Sequence, residues 1–148
     1  MLSYLSRARR LSWREYRDLT RAQAALVRAQ LSLWFRSRGR LLAYDHPAAV
    51  HQSASTDLGR VVELERAVDR AARYGLFRPK CLAKSVALHR MLRRAGIGSS
   101  RIRIGVRRES SGLTAHAWVT LDDRILGDNP TFVSRFTEIA DARMAELV

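Results

Sequence analysis

The spacing of apolar residues changes near residue 98, and that change constrains the fold more than any other feature of the sequence. Before it, apolar side chains recur three and four positions apart, the repeat of a helix buried along one face. After it they alternate one for one, the repeat of a strand. Leu58, Val61, Val62, Leu64, Ala67, Val68, Ala71 and Ala72 predict a helix from Asp57 or Leu58 to Tyr74, with Gly75 as its stop. A second helix starts at Cys81, carries Cys81, Ser85, Leu88 and Leu92 on one face, and ends at Ala95-Gly96. Beyond it, Ile102, Ile104 and Val106 oppose Arg101, Arg103 and Arg107. Ala115, Ala117, Val119 and Leu121 likewise oppose Thr114, His116, Trp118 and Thr120. RESSG (108–112) and Asp122-Asp123 read as turns, Arg124 to Asp128 as a third strand, and TEIADARMAEL as a short C-terminal helix. Helices first and an antiparallel sheet second make an α+β fold.

Upstream of this core, Ser12 and Glu15 have the spacing of a capping box. Tyr16, Leu19, Ala22, Leu26 and Leu33 then repeat at helical spacing to about Arg38, with Gly39 as the stop and Asp45-His46-Pro47 as a break. The polar stretch HQSASTD (51–57) reads as a linker, which divides the chain into a basic helical segment, 1–50, and a core domain, 55–148. In 148 residues there is room for one ordinary domain and an appendage. The charge follows the same division: residues 1–40 hold ten arginines against Glu15 and Asp18, a net +8 of the chain's +13. Such a field suits acidic partners, whether nucleic acid, an anionic membrane surface or an acidic peptide, and equally suits a helix face that is simply solvated. The sequence has no stretch of 18 uncharged apolar residues and no signal-peptide pattern, so a cytoplasmic protein is expected.

Cys81 is the only cysteine, which excludes a disulfide framework and fits a reducing compartment. A lone cysteine on the apolar side of a helix is ordinarily a small core residue. In a first turn, however, it lies near the positive end of the helix dipole and near backbone N–H groups able to serve a developing oxyanion. Its role then turns on a base. His89 is two helical turns away, roughly 12 Å along the axis. His116 is the better candidate, set in a strand between Ala115 and Ala117, although a buried structural histidine would have the same sequence. A general base needs an orienting carboxylate, and Asp128, twelve residues on, is preferred to the turn residues Asp122 and Asp123. A plain two-residue turn would put Asp128 on the wrong face of the sheet. Either a bulge at Gly127 or a three-residue loop is therefore expected.

Taken together, KCLAKSVALHRMLRRAGI and AHAWVTLDDRILGDNP resemble the lasso-peptide biosynthesis B proteins, transglutaminase-like cysteine leader peptidases. The resemblance implies a transglutaminase-like or papain-like cysteine protease core with an N-terminal helical extension. It further implies Cys81 as nucleophile, His116 as base and acid, and Asp128 as orienting acid. The implied reaction is removal of the leader from a ribosomally made precursor, with a Thr next to last in the leader as a usual recognition element and a separate cyclase closing the freed core peptide. Residues 1–50 are too few and too helical for a fused leader-recognition domain, so a separate small leader-binding protein is expected. A membrane transporter would be a further associate. Asp123 stands where the family commonly has glycine. No metal, nucleotide or other cofactor is expected, because the histidines lack ligand spacing and Lys84-Ser85 lacks the glycines of a phosphate loop. A basic nucleic-acid-binding protein is the rival from another class, though Trp13, Trp34 and Trp118 form no stacking strip. A transferase passing the acyl group from Cys81 to an amine is the rival among enzymes.

Overall fold

The computed structural model describes residues 12–35 and 57–141. Three long helices come first: α1 (Trp13–Phe35), α2 (Leu58–Tyr74) and α3 (Cys81–Arg94). They are followed by β1 (Ser100–Glu109), β2 (Gly112–Leu121), β3 (Arg124–Leu126), a single turn of helix α4 (Pro130–Val133) and β4 (Thr137–Asp141). The expected end of the first helix near Gly39, the break at Asp45-His46-Pro47 and most of the 51–57 linker lie outside the described residues.

Each helix starts where its sequence supplies a cap or a break. At α1 the capping box forms: the Ser12 N–H donates to Glu15 Oε2 at 2.9 Å and the Glu15 N–H to Ser12 Oγ at 3.2 Å. Asp57 caps α2 by accepting the Arg60 N–H at 3.0 Å, and Gly75 closes it. Pro79 precedes α3, whose N-cap Lys80 makes no side-chain capping bond. Ala22, Ala25, Leu26 and Ala29 of α1 share one apolar cluster with Val61, Leu64, Val68 and Ala71 of α2 and Ala83, Ala87, Leu88 and Leu92 of α3. Three alanines on α1 let its axis approach closely. α3 is buried nearly all round, with α1 and α2 on one side and the sheet on the other.

Tyr16, expected on the buried face of α1, is exposed, and Asp18 is buried there instead. The reason is a partner 42 residues on. The Arg60 guanidinium grips Asp18 with both terminal nitrogens, Nη2 to Oδ1 at 2.9 Å and Nη1 to Oδ2, while Nη1 also reaches Glu63 at 2.9 Å. The hydrogen bond from Arg60 holds the Asp18 carboxyl below the ordinary 3.8 against the opposing effect of burial. Removing Asp18 strips two hydrogen bonds from a largely buried guanidinium and leaves it only Glu63, so Asp18→Ala is expected to cost about 2–3 kcal/mol in urea unfolding at pH 7. Below pH 3.8 the unfolded chain binds a proton that folded Asp18 resists, so the wild type loses this stabilisation as pH falls through the depressed folded value. The gap between wild type and variant should narrow there.

All neighbours in the sheet are antiparallel, in the order β3-β2-β1-β4. Ile102 faces Val119 and Ile104 faces Ala117, and this side packs on the helices. Arg103 faces Trp118 and Gly105 faces His116 on the other side, where Trp118, Val133 and Phe136 form a second apolar cluster. The expected C-terminal helix is corrected here: residues 137–141 form β4, paired to the outer edge of β1. An open strand edge offers Thr137, Glu138 and Ala140 a ladder that local helix propensity does not outweigh. The remainder of that segment lies outside the described residues.

Candidate active site

β3 is only three residues long and pairs with Val119 to Leu121, so the β2 edge from Trp118 back to His116 continues beyond it. α3 packs at this edge: Ser85 Oγ donates to the Ala117 carbonyl at 3.0 Å, satisfying an acceptor the short strand leaves uncovered. A cleft opens where the start of α3, the β2 edge and the end of β3 meet. Cys81, Lys84, Ser85 and Leu88 line it from the helix, His116 to Val119 from β2, and Leu126, Gly127 and Asp128 from the end of β3.

Within the cleft His116 Nε2 lies 2.6 Å from Asp128 Oδ2. Cys81 is half-buried on the helical wall, and among the described residues no hydrogen bond links it to His116 or Asp128. The expected carboxylate therefore meets the expected histidine directly, and the cysteine lines the same cleft. His89 lies elsewhere, buried with Nδ1 2.9 Å from Ser100 Oγ.

The route by which Asp128 reaches His116 differs from both alternatives expected. Asp122 (φ 45°) and Asp123 (φ 65°) form a two-residue turn with both residues in the left-handed region, and Leu121 faces Arg124, so there is no three-residue loop. The ladder stops at Leu126 and Gly127 (φ 71°) ends the strand, rather than forming a bulge within it. Leaving the pleat at Gly127 frees Asp128 from strand alternation. Asp128 Oδ1 also accepts the Asn129 N–H at 2.8 Å, and Asn129 in turn caps α4.

The imidazole sits among three aromatic rings, of which the sequence placed only Trp118 on its face. Trp118 stacks on it at 6.2 Å between centroids, and Phe132 and Phe136 each lie at 5.2 Å. The Asn129-Pro130 helix start brings both phenylalanines back over the sheet. Gly105, paired with His116 in register, makes room for this group: a Cβ there would stand 2.9 Å from Trp118 Cη2 and 3.0 Å from both Phe136 Cβ and the Thr137 carbonyl oxygen. Gly105→Ala is accordingly expected to destabilise by about 1–3 kcal/mol through overpacking, measured by chemical unfolding.

A helix carrying cysteine at its start, laid against a strand carrying histidine and followed by a carboxylate, is accompanied by a direct match. A family model for the transglutaminase-like superfamily fits residues 23–141, from within α1 to the end of β4. The chain belongs to that superfamily, as a lasso-peptide biosynthesis B protein domain. No curated protein and no solved structure gives a significant match. The mixed architecture, with helices packed on a small antiparallel sheet, is consistent with the transglutaminase-like fold. Membership is consistent with a role in lasso-peptide maturation. No described helix is long and apolar enough to cross a membrane.

Proposed function

We propose that this B protein domain is a cysteine peptidase that cuts the leader from a ribosomally made lasso-peptide precursor. The observation that carries the reading is the His116 Nε2 to Asp128 Oδ2 bond of 2.6 Å in a cleft also lined by Cys81. With Nε2–H donated to the carboxylate, Nδ1 is the ring atom left to accept the Cys81 proton. The Cys81 sulfur then attacks the carbonyl carbon of the last leader residue. Charge develops on that carbonyl oxygen beside the first turn of α3, where the first intrahelical bond is made only by the Lys84 N–H, to the Lys80 carbonyl at 3.1 Å. The N–H groups before it are free of intrahelical partners and suit an oxyanion.

Collapse of the tetrahedral adduct breaks the C–N bond, and His116 passes its proton to the departing amine of the core peptide. Water then attacks the thioester, His116 takes one of its protons, and the leader leaves as a carboxylic acid with the thiol restored. Asp128 keeps the imidazole oriented and its positive form stabilised throughout. The core peptide's new amine is the group a separate cyclase would join to an acidic side chain.

A separate leader-binding protein completes the reading. Trp13, Tyr16, Leu31, Trp34 and Phe35 are exposed along α1, beside the exposed Arg17, Arg21 and Arg28. A stripe of this kind is well suited to a partner with an apolar patch bordered by acidic side chains. A cytoplasmic site of action fits a thiol that must stay reduced. The test is incubation of the protein with the precursor peptide encoded beside it, with and without the neighbouring leader-binding protein, read by mass spectrometry. Release of an intact leader bearing a free carboxyl group is expected. Transfer of the leader to an added amine would point to a transferase, and retention of an uncut precursor under every combination would overturn the proposal.

A further inference from the structure

Asp128 stands two residues past the last rung of the β3 ladder, so strand pairing does not hold it in place. Gly127, between them, is gripped from both sides. Its N–H donates to Glu65 Oε1 at 2.7 Å, and its carbonyl accepts from Lys84 Nζ at 2.8 Å. Glu65 belongs to α2 and Lys84 to α3, and Asp69 of α2 steadies the lysine, with Oδ1 3.2 Å from Nζ. Both peptide bonds of Gly127 are thus fixed by charge-assisted hydrogen bonds to the helical layer. A Cβ on this residue would stand 3.2 Å from Leu88 Cδ2, and its φ of 71° is one that L side chains rarely adopt.

We propose that Glu65 and Lys84 are positioning residues that clamp the Gly127 peptide and thereby hold Asp128 on His116. The assignment deepens, and rests on, the reading of Cys81, His116 and Asp128 as one catalytic group. A swing of the Gly127 peptide would carry the Asp128 carboxylate away from Nε2, and displacements of about 1 Å in such groups cost on the order of 100-fold in rate. Because the clamp acts on orientation and not on substrate, its loss appears in kcat and leaves KM alone.

The experiment compares Lys84→Met, Glu65→Leu and Glu65→Gln with wild type in leader release, and repeats Lys84→Met in an Asp128→Ala background. Lys84→Met and Glu65→Leu are expected to lower kcat by about 10- to 100-fold with KM within about twofold. Glu65→Gln keeps an oxygen for the Gly127 N–H and should retain most activity. In the Asp128→Ala background, Lys84→Met should cost little more. A readout independent of catalysis is the downfield proton resonance of His116 Nε2–H in 15N-labelled protein. It should be present in wild type and Glu65→Gln and weakened or lost in Glu65→Leu and Lys84→Met. Three results would overturn the clamp: a rise in KM alone, an equal loss from Lys84→Met with or without Asp128, or an unchanged His116 resonance in both Lys84→Met and Glu65→Leu. If Lys84→Met fails to fold, the Glu65→Gln and Glu65→Leu pair decides. If wild type releases no leader, the resonance still decides the clamp while the peptidase reading falls separately.

Discussion

Cys81→Ala is expected to abolish leader release, a loss on the order of 10⁵-fold or more, with the fold intact. No other residue lining the cleft brings a thiol to the start of a helix, and cysteine is absent from the rest of the chain. Alanine removes one sulfur from a half-buried position, which leaves α3 and its packing unchanged. Circular dichroism and the urea midpoint should therefore match wild type while product masses do not. Cys81→Ser is a sharper version. It retains a hydroxyl of similar size, but a histidine placed for a thiol activates it poorly, so release should stay near the alanine level. Substantial release by the alanine variant would return Cys81 to the core.

Asp128→Ala should follow, with about a 10³- to 10⁴-fold fall in kcat. The variant takes away the acceptor of His116 Nε2–H and leaves the ring free to adopt the tautomer whose proton faces the thiol. Asp128→Asn is expected to be milder than alanine because its amide oxygen can still accept from Nε2. KM should move little in either, since the carboxylate acts through the imidazole. Stability should fall by less than about 1 kcal/mol in Asp128→Asn, which can still accept the Asn129 N–H. Loss of binding with unchanged kcat would assign Asp128 to the substrate instead.

Local sequence carried much of this structure. The capping box at Ser12 and Glu15, the boundaries of α2 and α3, and the alternation along β1 and β2 all follow from interactions within a few residues or from one buried face. The face of His116 was legible from the alternation along β2, but hairpin spacing alone would have put Asp128 on the opposite face, and only the exit from the pleat at Gly127 brings it back. Long-range pairing was not legible. Asp18 looks like any surface aspartate until Arg60 meets it, and Glu65, Lys84 and Gly127 are separated by 62 and 43 positions. The Gly127 turn was anticipated as a need, but its form depends on the clamp and on Leu88 behind it. β4 illustrates the same limit: residues with a weak helical pattern became a strand because β1 had an edge to fill. The aromatic box around His116 depends on α4 folding back over the sheet, an arrangement set by Asn129 and Pro130 and by the room at Gly105.

With Cys81 as nucleophile, the leader's terminal carbonyl passes through a thioester on its sulfur. The direct test is to mix protein with precursor and leader-binding protein, quench in acid within the first turnover, and measure intact and digested masses. A transient adduct equal to the leader less one water is expected, confined to the peptide containing Cys81 and absent from Cys81→Ala. Release of leader at the normal rate with no such adduct, or with an adduct on another residue, would contradict the thioester.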